Sequence, residues 1–249
     1  MGFWPVVLNV LRNSDVIILL VDARMPEITQ NSEIIEKAEY MRRELIIVFN
    51  KIDLISKTDV AKIRKEFPES FFISSLKKIG VNTLKKYLTE YSEEWRGGKS
   101  LRVGIVGYPN IGKSTLINLL APKARAKISK VSGTTKKTQW IREGKIRYMD
   151  SPGVIPFGDS KSKLGMTASK DPHKIRNPEK VAIGIIEYLE KRGGKTLEKH
   201  FGVESGNAYE MFEAIGIKKG FLLKGGIVNE NRTAIKIISD WQQGKIKLG

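Results

Sequence analysis

The octapeptide GYPNIGKS, residues 107–114, matches the pattern G-x-x-x-x-G-K-[ST]. In such a loop, glycines let successive backbone N–H groups converge on phosphate oxygens, and the helix that follows presents its positive end. Lys113 would reach the β and γ phosphates, and the Ser114 hydroxyl would bind Mg²⁺. The octapeptide follows a predicted strand and opens a predicted helix, which is the context that the motif requires. These residues predict a nucleoside triphosphate site.

A second motif, NKID at residues 50–53, follows the apolar stretch LIIVF. The Asp53 carboxylate can accept the N1–H and 2-amino protons of guanine, a pair that adenine does not offer. A site built on such paired hydrogen bonds rejects the wrong base by roughly 10⁴ or more. Alone, four residues could equally form a turn after a strand. The later stretch FFISSLKKIG supplies Ser74 and Ser75 at a place where a backbone N–H could contact the guanine oxygen.

The stretch MDSPG adds a third element, with Asp150 at the end of a predicted strand and Gly153 three residues later. The aspartate of a D-x-x-G element holds Mg²⁺, usually through water, and the glycine N–H senses the γ-phosphate. Upstream, Thr134 and Thr135 offer a further hydroxyl for Mg²⁺, and we favour Thr135. The predicted magnesium ligands are therefore Ser114, Thr135 and Asp150. The residues predicted to contact the nucleotide are Asn50, Lys51, Asp53, Ser74, Ser75, Asn110, Ile111, Gly112, Lys113, Ser114, Thr115 and Gly153.

The elements that must position these motifs alternate between short apolar strands and helices, which predicts a mostly parallel sheet covered on both faces. Strands are predicted at residues 16–21, 45–49, 71–74, 101–107 and 145–150, and helices at 31–43, 57–67, 81–95 and 113–120. Binding loops in such a sheet lie at the carboxyl ends of its strands. The base-reading motif precedes the phosphate loop, the reverse of the usual order. A doubly wound sheet tolerates this order when the old termini are joined and the chain is opened elsewhere.

The composition of the chain changes after residue 150, where a Gly/Ser/Lys-rich segment predicts a switch loop followed by a linker. We predict a GTPase domain over residues 1–165 and a small all-helical domain over residues 170–249. Its three helices are expected between Asn177 and Gly193, between Asn207 and Gly216, and between Asn231 and Gly244. The apolar positions expected to face its core are Met211, Phe212, Ile215, Ala234, Ile238 and Trp241.

The charge of the chain favours a polyanionic partner, since 44 Lys and Arg residues against 27 Asp and Glu residues give a net charge of +17. Residues 121–139 contain six basic residues and no acidic one. The alternatives are an acidic membrane surface and no specific partner. The sequence shows no basic amphipathic helix with exposed aromatic residues that would favour a membrane. The absence of cysteine excludes disulfides and thiolate metal sites and fits a cytoplasmic protein. No signal peptide is evident, and nothing indicates an oligomer, so a monomer is expected.

The order of these motifs resembles the YlqF/YawG family of circularly permuted GTPases, which assist assembly of the large ribosomal subunit. The resemblance covers nearly the whole chain, and it is carried by LVDARMPEITQN, NKIDL, GYPNIGKSTLIN, GTTK, DSPG and MFEAIGIKKGFLLKGGIVN. It implies GTP and GDP as ligands, Mg²⁺, and a partner in the large ribosomal subunit or its precursor. It also implies a C-terminal helical domain that binds rRNA. Our candidates for RNA contact are Lys218, Lys219, Lys224, Arg232 and Lys236, although these residues could equally form a solvated surface.

The catalytic group for hydrolysis is not identified by the sequence. Val154 follows Gly153, where Ras-like GTPases carry the glutamine that orients the attacking water. Bacterial relatives in the family carry a histidine near the N-terminus, but the histidines here are His173 and His200. GTPases that resemble this chain and carry an asparagine at the position that corresponds to Asn110 use K⁺ beside the phosphates. Asn110 is therefore the K⁺ candidate; the alternative is that this asparagine only stabilises the turn.

Two readings of the whole chain remain open at this point. The first is a slow GTPase that the ribosomal particle and K⁺ activate. The second is a non-catalytic GTP-dependent RNA-binding switch, which Val154 and the missing histidine favour. An ATP-using P-loop enzyme is disfavoured by Asp53.

Overall fold

The structure, a computed structural model, describes residues 3–123, 139–153, 165–167, 170–193, 195–204 and 206–248. By the density of its internal contacts the chain divides into two compact units, Met1–Gly158 and Asp159–Gly249. The predicted domain ranges, 1–165 and 170–249, remain predictions. We describe each unit by itself.

The first unit is built on a six-stranded sheet with the strand order β3-β2-β1-β4-β6-β5. Its strands are β1 (Val16–Asp22), β2 (Glu44–Asn50), β3 (Phe71–Phe72), β4 (Leu101–Val106), β5 (Gln139–Glu143) and β6 (Ile146–Asp150). All neighbouring strands are parallel except β5, which pairs antiparallel with β6. Every residue of β1 is buried, as expected for a central strand of a sheet that is covered on both faces.

Helices cover both faces of this sheet. They are α1 (Phe3–Asn13), α2 (Pro26–Thr29), α3 (Ser32–Tyr40), α4 (Lys57–Glu66), α5 (Val81–Glu94) and α6 (Lys113–Leu120), with a 3₁₀ turn at Ile52–Leu54. Apolar residues of α5 and α6 pack on one face of the sheet, against β1 and β4 residues such as Val16 and Val103. Apolar residues of α1, α3 and α4 pack on the opposite face, against residues such as Ile17 and Val106. The predicted α/β class with a mostly parallel, doubly wound sheet is confirmed.

The strand order explains how the sheet tolerates the reversed motif order. The strand that precedes the phosphate loop, β4, lies between β1 and β6 in the middle of the sheet. The strand that precedes the NKID motif, β2, lies on the other side of β1. Helix α5 and residues 95–100 connect β3, at one edge of the sheet, to β4 in its middle. The neighbours of each strand therefore do not depend on where the chain begins.

The second unit is helical in its described part. Its helices are α7 (Pro178–Glu190), α8 (Thr196–Phe201), α9 (Ala208–Lys218) and α10 (Glu230–Gln242), with a 3₁₀ turn at Pro172–Lys174. All six apolar residues of α9 and α10 that the sequence predicted for its core are buried. Trp241 is fully buried and its indole N–H donates to the Met166 carbonyl at 3.0 Å. The core of this unit is thus built from the apolar faces of its longer helices.

Several details differ from the sequence predictions. Strand β5 and helices α1, α2 and α8 were not predicted; α2 and α8 have only four and six residues, whereas the amphipathic pattern of α1 was overlooked. Asn229, and not Asn231, caps α10, since its side chain accepts the Arg232 N–H at 3.0 Å. Gly216 does not end α9, which continues to Lys218, because Gly216 packs closely on Val228 and Thr233. Close packing, and not helix termination, accounts for that glycine.

Candidate nucleotide-binding site

The phosphate loop connects β4 to α6, and the side chain of Lys113 folds back to bind carbonyl oxygens of the same loop. The Lys113 ammonium donates to the carbonyl oxygens of Gly107 and Tyr108 at 2.9 and 2.7 Å. Burial lowers the pKa of Lys113 to about 7, although the nearby Asp150 carboxylate acts in the opposite direction. A lysine held in this way is a positive charge that an approaching phosphate would stabilise.

The amide of Asn50 joins the phosphate loop to the loop after β3. Its Nδ2 donates to the Ile111 carbonyl at 2.8 Å, and its Oδ1 accepts the Ser75 N–H at 2.9 Å. A side chain on Gly112, which has φ of +107°, would place its Cβ 2.5 Å from that Nδ2. Glycine is therefore required at position 112 by both conformation and space. Asn50, which stays a predicted nucleotide contact, holds together the two loops that would bind the phosphates and the base.

Replacing Asn50 with alanine is expected to destabilise the protein by about 2–4 kcal/mol, because a buried carbonyl and a buried N–H each lose their partner. We also expect GDP to bind at least about tenfold more weakly, since the two loops are no longer connected. Chemical denaturation and calorimetric titration with GDP would measure both effects. Asn13→Ala, which removes an exposed amide on α1, is the matched control. Unchanged GDP affinity in Asn50→Ala would contradict the positioning role.

Ser114 and Asp150 form the part of the site that suits a hard cation. The Ser114 hydroxyl donates to the Asp150 carboxylate, with Oγ 3.1 and 3.3 Å from its two oxygens, and Asp150 is fully buried at the end of β6. A hydroxyl beside a carboxylate is a donor set that fits Mg²⁺. No group of three or more His, Asp or Glu side chains that could hold a metal lies together within the described ranges. A cation here would therefore take the rest of its ligands from water and phosphate oxygens.

Gly153 lies against the phosphate loop. A Cβ at this position would come within 2.4 Å of the Pro109 Cα and 2.6 Å of its nitrogen. Only glycine allows the backbone after β6 to approach the loop this closely. The D-x-x-G glycine is thereby adjacent to the loop that would surround the phosphates.

The base-reading motif follows β2 at the same edge of the sheet. Asp53 is half-buried in the 3₁₀ turn, and the described residues provide no hydrogen bond or ion pair to its carboxylate. Lys51 has a left-handed backbone, with φ of +66°, and its ammonium contacts the Asp22 carboxylate at 2.8 Å. The Asp53 carboxylate is therefore available to a base, while the neighbouring lysine is held in place.

Asp22 and Arg24, which the sequence did not single out as site residues, form the support for Lys51. Arg24 is almost fully buried and contacts Asp22 through both Nε and Nη2, at 3.1 and 2.8 Å. Although burial opposes ionisation, the two cations hold the pKa of Asp22 well below its usual range. Burial lowers the pKa of Lys51 despite the Asp22 charge. The signal in the sequence was an aspartate that ends an otherwise apolar strand, with an arginine two residues later.

The loop after β3 presents a different backbone donor from the one expected. Ser74 and Ile79 exchange two backbone hydrogen bonds that close this loop, and the Ser74 hydroxyl accepts the Lys77 N–H at 3.0 Å. Because the Ser75 N–H is already used by Asn50, it is not available to a guanine oxygen. Leu76 follows with an exposed side chain, and no partner for its N–H is found among the described residues. Among the described residues, the Leu76 N–H therefore stays free for such a contact, whereas the Ser75 N–H does not.

The remaining predicted residues are placed as follows. Ile111 is buried in the core under the loop, Thr115 is half-buried on α6, and Asn110 is exposed with φ of +56°. Thr135, its alternative Thr134 and Val154 lie outside the described residues, as does most of the basic stretch at 121–139.

The candidate RNA residues lie in the second unit on α9, α10 and the loop between them. The Arg232 guanidinium lies over the Phe221 ring at 4.5 Å, and Lys219 lies over Phe201 at 5.6 Å. Lys236 instead contacts the buried carboxylate of Asp240 at 2.9 Å, so its ammonium group is already held by an acidic partner. His200 and Lys245 contact the same carboxylate, and hydrogen bonds from His200 and Lys236 help to lower the pKa of Asp240 although burial opposes this.

Comparison with known protein families agrees with this geometry. The model of the family described as RsgA GTPase matches residues 7–158, more than half of the chain. The chain belongs to the RsgA GTPase family. The model described as 50S ribosome-binding GTPase also matches the chain, over residues 102–220.

Relatives and solved structures extend the comparison beyond the first unit. An uncharacterised GTP-binding protein of Methanocaldococcus jannaschii is 36% identical over 97% of this chain and 65% of its own length. Nucleolar GTP-binding protein 2 of Saccharomyces cerevisiae is 32% identical over 98% of this chain and 52% of its own length. The chain thus spans about half to two thirds of the length of these relatives.

The GNP-bound structure of YlqF from T. maritima is 26% identical, with a TM-score of 0.65, and covers 97% of this chain and 93% of that one. The GDP-bound structure of TM YlqF gives a TM-score of 0.66 at the same identity, covering 97% and 96% of the two chains. The predicted resemblance to YlqF and the predicted permuted GTPase fold are both confirmed. No helix in the described part of the chain has the length and apolar character needed to cross a membrane.

Proposed function

We propose that this protein binds and hydrolyses GTP and acts as an assembly factor for the large ribosomal subunit through contact with rRNA. The observation that carries the first part is the Asn50 amide, which joins the phosphate loop to the loop after β3. It connects the residues suited to phosphates with those suited to a guanine base. The match to the family described as 50S ribosome-binding GTPase, and the likeness to nucleolar GTP-binding protein 2, support the ribosomal part.

In this proposal each residue of the site has a defined task. Asp53 accepts the N1–H and 2-amino protons of guanine, and the Leu76 N–H donates to the neighbouring O6. Lys113 and the N–H groups of the phosphate loop bind the β and γ phosphates, where negative charge develops during transfer. Ser114 and Asp150, with Thr135 as predicted, would hold Mg²⁺, which supplies charge neutralisation between the β and γ oxygens when bound. Gly153 donates its N–H to the γ-phosphate.

The group that orients the attacking water is expected to come from outside this site. Val154 has no hydrogen-bonding side chain, and neither His173 nor His200 belongs to the first unit. The amide oxygen of Asn110, exposed on the phosphate loop, is a suitable donor for K⁺ beside the phosphates. Turnover by the isolated protein is therefore expected to be slow.

We expect GTP turnover to be faster in K⁺ than in Na⁺, and to rise strongly when large ribosomal subunits of the matching organism are added. The cation lowers the barrier by stabilising transition-state charge, and the particle supplies or positions the missing group. Phosphate release, measured in each salt with and without subunits, tests both statements. Asn110→Ala is the variant for the cation, and small ribosomal subunits are the control for the particle.

Three results would change the proposal. Equal rates in the two salts would remove Asn110 from the mechanism. Tight GTP binding with negligible turnover, even with subunits, would favour the second candidate, a non-catalytic GTP-dependent RNA-binding switch, which Val154 motivates. Competition by ATP as strong as that by GTP would contradict the base assignment to Asp53.

The rRNA contact is proposed for the C-terminal helical domain, predicted over residues 170–249. Lys218, Lys219, Lys224 and Arg232 are the candidates, and the aromatic rings under Lys219 and Arg232 support them because they hold those cations in place. Lys236 is a weaker candidate because Asp240 already holds its ammonium group. The net charge of +17 supports a polyanionic partner of this kind.

A further inference from the structure

The outer strands of the first unit carry an aromatic and basic surface that the proposed site does not use. Trp140 and Arg142 lie two residues apart on β5, so their side chains point to the same face. The register places Arg147 of β6 directly opposite Arg142. Both arginines are exposed, and Trp140 is 44% exposed. We call Trp140, Arg142 and Arg147 the hairpin surface.

The two arginines of this surface are not compensated by acidic groups. Like charges directly opposite each other across a sheet are destabilising. Within the described ranges, no carboxylate lies within 4 Å of either guanidinium; Arg142 donates only to the Gly144 carbonyl, at 3.2 Å. Arg102, the next arginine in the same row across β4, shows the contrast, because Asp15 contacts it at 2.6 Å. Folding therefore gains nothing from the Arg142–Arg147 pair.

The opposite face of the same hairpin behaves as ordinary core. Ile141 and Tyr148 form the neighbouring pair in the register, and both are buried. Met149, directly opposite Trp140 on the outer face, is also buried. Apolar positions such as Ile141, Tyr148 and Met149 are thus buried in the hairpin, whereas Trp140 stays 44% exposed. The exposed groups of the outer face are therefore one indole and two guanidinium groups.

We propose that the hairpin surface binds single-stranded RNA, with one nucleobase stacked on Trp140 and the flanking phosphates bound by Arg142 and Arg147. An exposed indole beside two guanidinium groups supplies what such recognition requires: a flat ring for any base, and donors for the phosphate oxygens. The charge of the surface fits a polyanion and not a basic protein. A lone aromatic residue without an apolar stripe does not fit a lipid surface. The inference rests on the proposed RNA partner and adds a second contact, in the GTPase unit.

The test uses the full chain with GDP and a fluorescein-labelled twelve-nucleotide single-stranded RNA, followed by anisotropy. Trp140→Ala is expected to weaken binding about 5- to 100-fold, the range that corresponds to the loss of one stacked base. Trp140→Phe is expected to retain most of the affinity because it keeps a ring. Tyr40→Ala is the matched control, since Tyr40 is an exposed aromatic with Lys37 over its ring, on α3. Wild type and Trp140→Ala should bind an RNA duplex of the same length with similar affinity.

Arg147→Ala supplies an independent readout. Loss of one phosphate contact should reduce the slope of log affinity against log salt by about 0.7. The melting temperature should stay unchanged or rise, because the variant removes a like-charge pair. A fall in melting temperature with unchanged RNA affinity would assign Arg147 a structural role and overturn the proposal for it.

The outcomes separate this proposal from the proposed function. If Trp140→Ala and Arg147→Ala bind the RNA like wild type, while a variant with Lys218, Lys219 and Arg232 replaced by alanine does not, the hairpin surface is wrong and the C-terminal RNA contact stands. If wild type binds neither the single strand nor the duplex, both RNA assignments fail. If Trp140→Ala loses binding only to the large subunit, and not to RNA, the surface contacts a ribosomal protein and the proposal is wrong.

Discussion

Asp53→Asn is expected to weaken GTP binding by about 10³-fold or more and to let xanthosine triphosphate bind in its place. The reason lies in the hydrogen-bonding pattern of the base edge. The Asp53 carboxylate accepts two protons from guanine, whereas an asparagine accepts one and presents an N–H to the second. Xanthine carries an oxygen where guanine carries its amino group, so it matches the asparagine. Competition of both nucleotides against a fluorescent GDP analogue measures the exchange.

The structure makes this a clean substitution. Asp53 is half-buried and makes no hydrogen bond or ion pair within the described residues, so exchanging an oxygen for an amide nitrogen should leave the fold intact. Asp59→Asn, in the first turn of α4, is the control for the loss of one negative charge nearby. If GTP affinity is retained in Asp53→Asn, base recognition does not depend on this carboxylate and the guanine assignment is wrong.

Lys113→Met is expected to weaken GTP binding about 100-fold and to reduce turnover by about 10²–10³, the usual effect of removing one donor that faces transition-state charge. Methionine has similar length and tolerates burial, but it cannot donate to Gly107 or Tyr108, nor to a phosphate. Single-turnover phosphate release and calorimetry separate the effect on chemistry from the effect on binding. Lys86→Met, on the exposed side of α5, is the control.

The lowered pKa of Lys113 predicts a pH dependence of nucleotide binding in the wild type that the Lys113→Met variant should lack. Because burial lowers this pKa to about 7, the lysine is increasingly neutral above pH 7 before a nucleotide binds. Phosphate raises the pKa again, so binding takes up a proton, and GDP affinity should fall by up to about tenfold per pH unit above pH 7. Below pH 7 this dependence should level off. Proton uptake, measured by titration in two buffers of different ionisation enthalpy, should disappear in Lys113→Met.

The same shift predicts how stability varies with pH. The unfolded chain has the ordinary lysine pKa of 10.5, so it binds more protons than the folded protein between about pH 7 and 10.5. The contribution of Lys113 to stability therefore rises with pH across that window. If wild type and Lys113→Met take up the same number of protons on GDP binding, a group other than Lys113 causes the pH dependence.

The sequence by itself determined the elements that carry the site. Continuous apolar runs such as residues 16–21 and 45–49 predicted buried parallel strands, and the structure has β1 and β2 there. Because binding loops follow the carboxyl ends of parallel strands, the motifs at the ends of β2, β4 and β6 already indicated one nucleotide site. The reversed motif order and the apolar faces of α9 and α10 were likewise readable from local pattern.

Only the tertiary structure decided which distant groups meet. Asn50 bonds to Ile111 and Ser75, which are 61 and 25 positions away, and Asp22 holds Lys51 across 29 positions. Side-chain periodicity identifies the face on which a residue lies, but not the residue opposite it in a neighbouring strand. The strand register was therefore needed to pair Arg142 with Arg147, and the folded loops were needed to show that the Leu76 N–H, and not the Ser75 N–H, stays free for a base.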